Sequence, residues 1–180
     1  MAGKVLKVYC DRMREAGATA VKIVHPSSVV TAPWVRMKCQ FGCGGYDYGH
    51  CCPPCTPTAE ETREVLESYG RAMLIHIVSP ATPDREKRLQ KCFRSLVRVE
   101  EDLFKDGYYR AFVFLAGPCG ICRQCGKITG DPCRHGDRAR PSMEACGIDV
   151  FQTARNNGFV IETLHRENET RNTFCLMLVD

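Results

Sequence analysis

The chain has 180 residues, 13 cysteines and a formal net charge of +4. A chain this long can bury a real core without covalent staples, and the odd cysteine count argues against complete disulfide pairing. The mild charge, with no basic repeat interleaved with aromatics, does not point to nucleic acid, and no apolar run approaches the length of a membrane span.

The N-terminus, Met1-Ala-Gly-Lys-Val-Leu-Lys7, lacks the apolar stretch of an export signal, so a cytoplasmic location is expected. Disulfides are disfavoured there, and many cysteines without export imply metal or redox chemistry. Leu6, Tyr9, Cys10 and Met13 recur at helical spacing and predict a helix over 5–16, ended by Gly17. A strand is predicted over 18–24. Pro26 and Pro33 break the segment that follows.

The first cysteine cluster spans 39–55: Cys39, Cys43, Cys51, Cys52 and Cys55. Gly42, Gly44, Gly45, Gly49, Pro53 and Pro54 lie among them, which predicts a loop. Its C-x3-C pair invites a radical-SAM reading, but the third position of that motif is Tyr46. His50 reads as a solvated loop residue.

Thr58-Ala-Glu-Glu61 is a capping box opening a helix to Tyr69, closed by Gly70. Residues 71–78 are nearly all apolar, as for a strand covered on both faces; His76 within it reads as a core or edge histidine. Thr82-Pro83 predicts a helix start, and Leu89, Cys92, Phe93, Leu96, Val99 and Leu103 form its apolar stripe to about Lys105. Residues 109–116 form another apolar strand. Strand, helix, strand predicts a βαβ unit with parallel strands, and the second cysteine loop, 117–140, begins at the carboxyl end of that last strand. A helix over 142–157 and strands over 159–164 and 174–179, joined by a polar turn over 166–172, complete the chain.

The fold expected is one α/β domain over 1–180. It has a single mixed, mostly parallel sheet of about five strands flanked by helices, and two cysteine-rich metal-binding loops on the same side. Cys10, Cys92 and Cys175 read as packing residues, and Cys146 as a remote candidate ligand.

Cys119, Cys122 and Cys125 form C-x2-C-x2-C, with Cys133 after a seven-residue gap. Thiolates at i, i+3 and i+6 can curl around one inorganic core, as in ferredoxin-type loops. Zinc sites more often use separated C-x2-C knuckles. Iron–sulfur chemistry is therefore favoured, with two 4Fe-4S clusters expected and zinc as the alternative. Cys119, Cys122, Cys125 and Cys133 make one ligand set. Cys39, Cys43 and Cys52 lead the other, with Cys51 and Cys55 competing for its fourth place. A three-thiolate cubane would leave one iron open as a Lewis acid, so electron carriage and enzyme catalysis both stay open, as does a zinc-structured interaction module. Residues 134–140 read as a solvated basic loop or as a positive rim for an acidic redox protein or an anionic ligand. No Walker loop, dinucleotide fingerprint or Ser/His/Asp motif is present.

Taken together, Lys38-Cys-Gln-Phe-Gly-Cys43, Cys52-Pro-Pro54, Gly117-Pro-Cys-Gly-Ile-Cys-Arg-Gln-Cys125, Cys133-Arg-His135 and Ala139-Arg-Pro-Ser-Met-Glu-Ala-Cys-Gly-Ile-Asp-Val150 resemble the DUF2284 family of predicted metal-binding proteins. The resemblance covers nearly the whole chain. It implies a small, cysteine-rich metal-binding protein and carries Cys39, Cys43, Cys52, Cys119, Cys122, Cys125 and Cys133. It weakens Cys51 and Cys55 as ligands.

Overall fold

A computed structural model of the protein describes residues 2–166 and 168–180. The elements run α1 (Ala2–Glu15), β1 (Ala20–Val24), α2 (Pro33–Gly42), α3 (Ala59–Glu67), β2 (Ala72–Ser79), α4 (Arg85–Lys105), β3 (Phe112–Phe114), α5 (Val150–Asn156) and β4 (Arg171–Leu178). Four strands form one sheet in the order β1-β2-β4-β3, and every pairing is antiparallel. This overturns the mostly parallel sheet of about five strands. The cause lies in β4, whose register pairs Leu74 with Leu176 on one side and Phe114 with Leu176 on the other. Inserted there, β4 takes the ladder hydrogen bonds that β2 and β3 would have exchanged. Because β2 and β3 each oppose β4, they still run in the same direction, joined by α4, but as a split unit.

The long apolar run of β2 reflects coverage on both faces. Met73, Ile75 and Ile77 point to a core shared with α1 and α4, where Leu6, Met13, Leu96 and Leu103 are buried. Ala72 and Leu74 point to a second core with Leu66, Phe174, Met143, Ile148 and Ala154. The period-2 alternation of strand side chains thus feeds two apolar layers. Both-face burial is usual for parallel sheets; here helices and connecting segments achieve it on an antiparallel one. Cys10, Cys92 and Cys175 lie in the first core and Cys146 in the second.

Further expectations change. The expected strand over 159–164 is irregular chain, with Ile161 buried and the Phe159 ring 5.3 Å from His76; the turn expected over 166–172 includes Glu167, which lies outside the described residues. The helix expected over 142–157 is interrupted at Gly147, leaving a 3₁₀ turn at Glu144–Cys146 ahead of α5. Gly147 has φ +76°, and a Cβ there would lie 2.8 Å from the Ala59 Cβ, so both backbone angle and packing demand glycine. Finally, Cys39 sits on helix α2 rather than in a loop. Pro33 at the first helical turn starts α2, and the glycines that argued for a loop act only from Gly42 onward.

The capping box forms as expected. Thr58 Oγ1 accepts from the Glu61 amide at 3.1 Å, and Glu61 Oε2 accepts from the Thr58 amide at 2.7 Å. α4 starts later than expected, at Arg85, with Asp84 as its cap residue.

Candidate metal centre

Both cysteine loops are excursions from the body with clamped necks. The first leaves α2 at Cys43 and returns to α3 at Thr58. Arg36 on α2 closes it: Nη1 donates to the Thr56 carbonyl at 2.8 Å, the Thr56 hydroxyl at 3.1 Å and the Ala145 carbonyl at 3.2 Å, and also to the Pro57 carbonyl. Thr56 Oγ1 itself donates to the Ala145 carbonyl at 2.6 Å. The second loop leaves and re-enters beside β3. The Leu115 amide donates to the Pro141 carbonyl and the Met143 amide to the Leu115 carbonyl, both at 2.9 Å. Below that neck, buried Glu100 on α4 accepts from Arg140 Nε at 3.0 Å on both carboxylate oxygens, and from the Val113 amide at 2.7 Å. The bidentate pair raises the Arg140 pKa.

The loops then meet. His50 Nε2 contacts the Asp131 carbonyl at 2.9 Å, and Lys127 Nζ pairs with Asp47 Oδ1 at 2.6 Å. Cys51, Cys52, Cys119, Cys122, Cys125 and Cys133 line a single cavity of ≈ 240 Å³ between them. All 13 cysteines are free thiols.

Within that ring the sulfurs sort by neighbour. Cys51 pairs with Cys119. The hydrogen bond raises the Cys51 pKa, helped by burial and by the nearby Cys119, Cys133 and Cys52. The same bond lowers Cys119 to about 6, against burial and with help from the Ile121 backbone and His135. Of the two, Cys119 is the thiol whose deprotonation this arrangement favours. Cys52 lies between the groups. Burial raises its pKa most, and the neighbouring Cys43, Cys39, Cys119 and Cys125 thiols raise it further. A Cβ on Gly49 would meet the Cys52 sulfur at 3.8 Å and the Cys125 sulfur at 4.0 Å, so those two sulfurs, one from each loop, face the same point beside Gly49. Burial also raises Cys39, followed by Cys43 and Glu144. The Gly45 amide donates to the Cys43 sulfur at 3.4 Å. Cys55 is exposed and neighbours Lys127 outside the cavity.

Among the described residues, no three His, Cys, Asp or Glu side chains converge tightly enough to hold one ion as they stand; the thiols ring a space instead. The donor set nevertheless fits a soft metal, because thiolate is the ligand of choice for iron–sulfur clusters, zinc and cuprous ions. Glu144 is the feature that residue patterns underrated. It is half-buried beside Cys39, desolvation of its carboxyl raises its pKa, and its buried Oε2 has no hydrogen-bond partner among the described residues. The only sequence signal was its place in the motif after the second loop.

The chain matches the family described as predicted metal-binding protein (DUF2284) over residues 22–179. The protein belongs to that family. The matched span contains all nine loop cysteines weighed as ligands from the sequence, and metal binding agrees with a ring of free thiols that no apolar core explains. Nothing among curated proteins or solved structures matches the chain. Among the described residues, no helix is long and apolar enough to cross a membrane.

Proposed function

We propose that this DUF2284 protein holds two 4Fe-4S clusters between its cysteine loops and exchanges electrons with a protein partner. The observation that carries the reading is the interleaving of the loops. Cys51 from the first loop sits with the second loop's Cys119 and Cys133, while Cys125 from the second faces Cys52 of the first. Cys122 lines the same cavity. This supports one set of Cys51, Cys119, Cys122 and Cys133, and another of Cys39, Cys43, Cys52 and Cys125. Contributing one cysteine of a tight run to the neighbouring centre has a precedent in two-cluster ferredoxins.

Iron–sulfur cores are one-electron carriers, which is the chemistry such a group supplies when bound. The chain's own part is to position eight thiols and to balance their charge. His135, Lys127 and Arg140 lie close enough to act on the cysteines' neighbourhood. Exposed Arg123 and Arg134 add a positive rim suited to an acidic protein partner. The chain is read as cytoplasmic, where so many free thiols would persist.

The test is anaerobic purification with visible absorption and quantification of iron, zinc and acid-labile sulfide. About eight irons per chain, matched by sulfide, are expected for two cubanes. Cys51→Ser and Cys125→Ser should each lose about half the iron, from different sets, whereas Cys55→Ser should keep it all. A colourless protein with about two zincs, one per four-thiolate site, would replace the redox reading with a structural one.

A further inference from the structure

A second cavity, of ≈ 580 Å³, opens between α4 and the second cysteine loop. That volume lies within the roughly 300–1,000 Å³ usual for small-molecule sites. Its floor is apolar, with Phe93, Val97 and Leu115, and Cys119 stands in the wall it shares with the thiol cavity. A Cβ on Gly120 would lie 3.0 Å from the Gln90 side-chain amide, so the loop packs directly on α4 at that edge.

The charges around the cavity are uneven. Arg140 is committed to Glu100, and Arg138 to Asp137 and the His135 ring. Arg94 and Arg98, one turn apart on the exposed face of α4, make no ion pair among the described residues. Glu101 is the one acid in the lining among the described residues. Two unpaired guanidiniums above an apolar floor match a ligand with an anionic head and an apolar body, because guanidinium engages carboxylate and phosphate bidentately.

We propose that this cavity binds a small organic anion, a carboxylate or a phosphate ester, with its head on Arg94 and Arg98 and its body on Phe93, Val97 and Leu115. Contact with the metal centre through Cys119 rests on the function proposed above; binding of the anion does not. A small molecule held at Cys119 would make the protein more than an electron carrier.

The test is a fluorescence titration of the metal-loaded protein with anilinonaphthalene sulfonate, followed by displacement with benzoate or phenyl phosphate. One saturable site is expected. The R94Q/R98Q double variant should bind about tenfold more weakly, as for two partly exposed charge contacts. Glu101→Gln should bind about twofold more tightly, a sign that mere misfolding would not produce. Preferential displacement by benzoate identifies a carboxylate site, and by phenyl phosphate a phosphate site. Unchanged affinity in R94Q/R98Q, or equal affinity for neutral phenylnaphthylamine, overturns the proposal. Metal analysis of the same sample keeps the two readings separate: a sample without metal counts against the clusters while the titration still decides the pocket.

Discussion

The body and the cysteine lobe of this protein are held together by different physics. In the body, Leu74, Leu176, Met73 and Met177 are wholly buried in the two central strands, with apolar layers on both faces. In the lobe, Pro53 alone is buried between residues 43 and 55, and Gly126 alone between 117 and 135. Hydrophobic burial scales with apolar area removed from water, so it stabilises the body and contributes little to the lobe. The lobe relies on polar ties such as His50 to Asp131 and Lys127 to Asp47, and on whatever its thiols coordinate. The body should therefore fold without metal, whereas the order of the lobe should depend on it.

The joint between the two regions gives the largest expected effect. Glu100→Ala removes both partners' acceptor at once, stranding the buried Arg140 guanidinium and the Val113 amide. Breaking a buried pair in this way costs about 3–5 kcal/mol. Denaturant unfolding should show that loss as a lower midpoint. A loss below about 1 kcal/mol would mean that lobe and body are joined elsewhere.

Arg36→Gln comes next. It releases the first loop's neck, where one guanidinium satisfies the Thr56, Pro57 and Ala145 carbonyls. Thr56 still bonds Ala145, so the expected loss is about 2 kcal/mol. Because the neck fixes where Cys43 and Cys52 emerge, metal content should fall further than stability does. Equal loss of both would deny that the neck has a positioning role.

Local chemistry made part of this legible in the sequence. The capping box at Thr58 and the apolar stripe of α4 depend on neighbours within a few residues, and both formed. The sheet did not follow, because a strand's partner is set by the whole chain. Nothing within residues 71–116 reveals that β4, more than 50 residues later, inserts between β2 and β3. The apolar run of β2 fits coverage on both faces in either orientation. The site was legible as two loops of candidate ligands. Spacing alone left Cys51 competing with Cys55 for the fourth place beside Cys39, Cys43 and Cys52, because it carries no information about which loop crosses which. Only the meeting of the loops puts Cys51 against Cys119.

Chelating the metal tests the comparison directly. The far-UV circular dichroism of the body should persist, with its unfolding midpoint changed by less than about 1 kcal/mol, while protease cleavage within 43–55 and 117–135 accelerates. Global unfolding on chelation would show that the lobe is part of one cooperative unit, as in small zinc domains.

The smallest effect lies at the end of the body away from the thiols. Arg71, just before β2, pairs with Asp180, with Nε to Oδ1 at 2.7 Å, and the Asp180 carbonyl accepts from the Gly70 and Arg71 amides. The Arg71 hydrogen bond lowers the Asp180 pKa, outweighing burial. A carboxylate whose folded pKa lies below its unfolded value of about 3.9 stabilises the fold fully above that value. The contribution is lost as pH falls through the depressed folded pKa. Both side chains are about a third exposed, so Arg71→Gln should cost only about 0.5 kcal/mol at neutral pH. The gap between wild type and variant should close in acid, because both forms then carry a protonated Asp180. A gap that persists there would mean that Arg71 acts instead through its stacking over the Tyr108 ring, 5.8 Å from the centroid, a contact that does not titrate in this range.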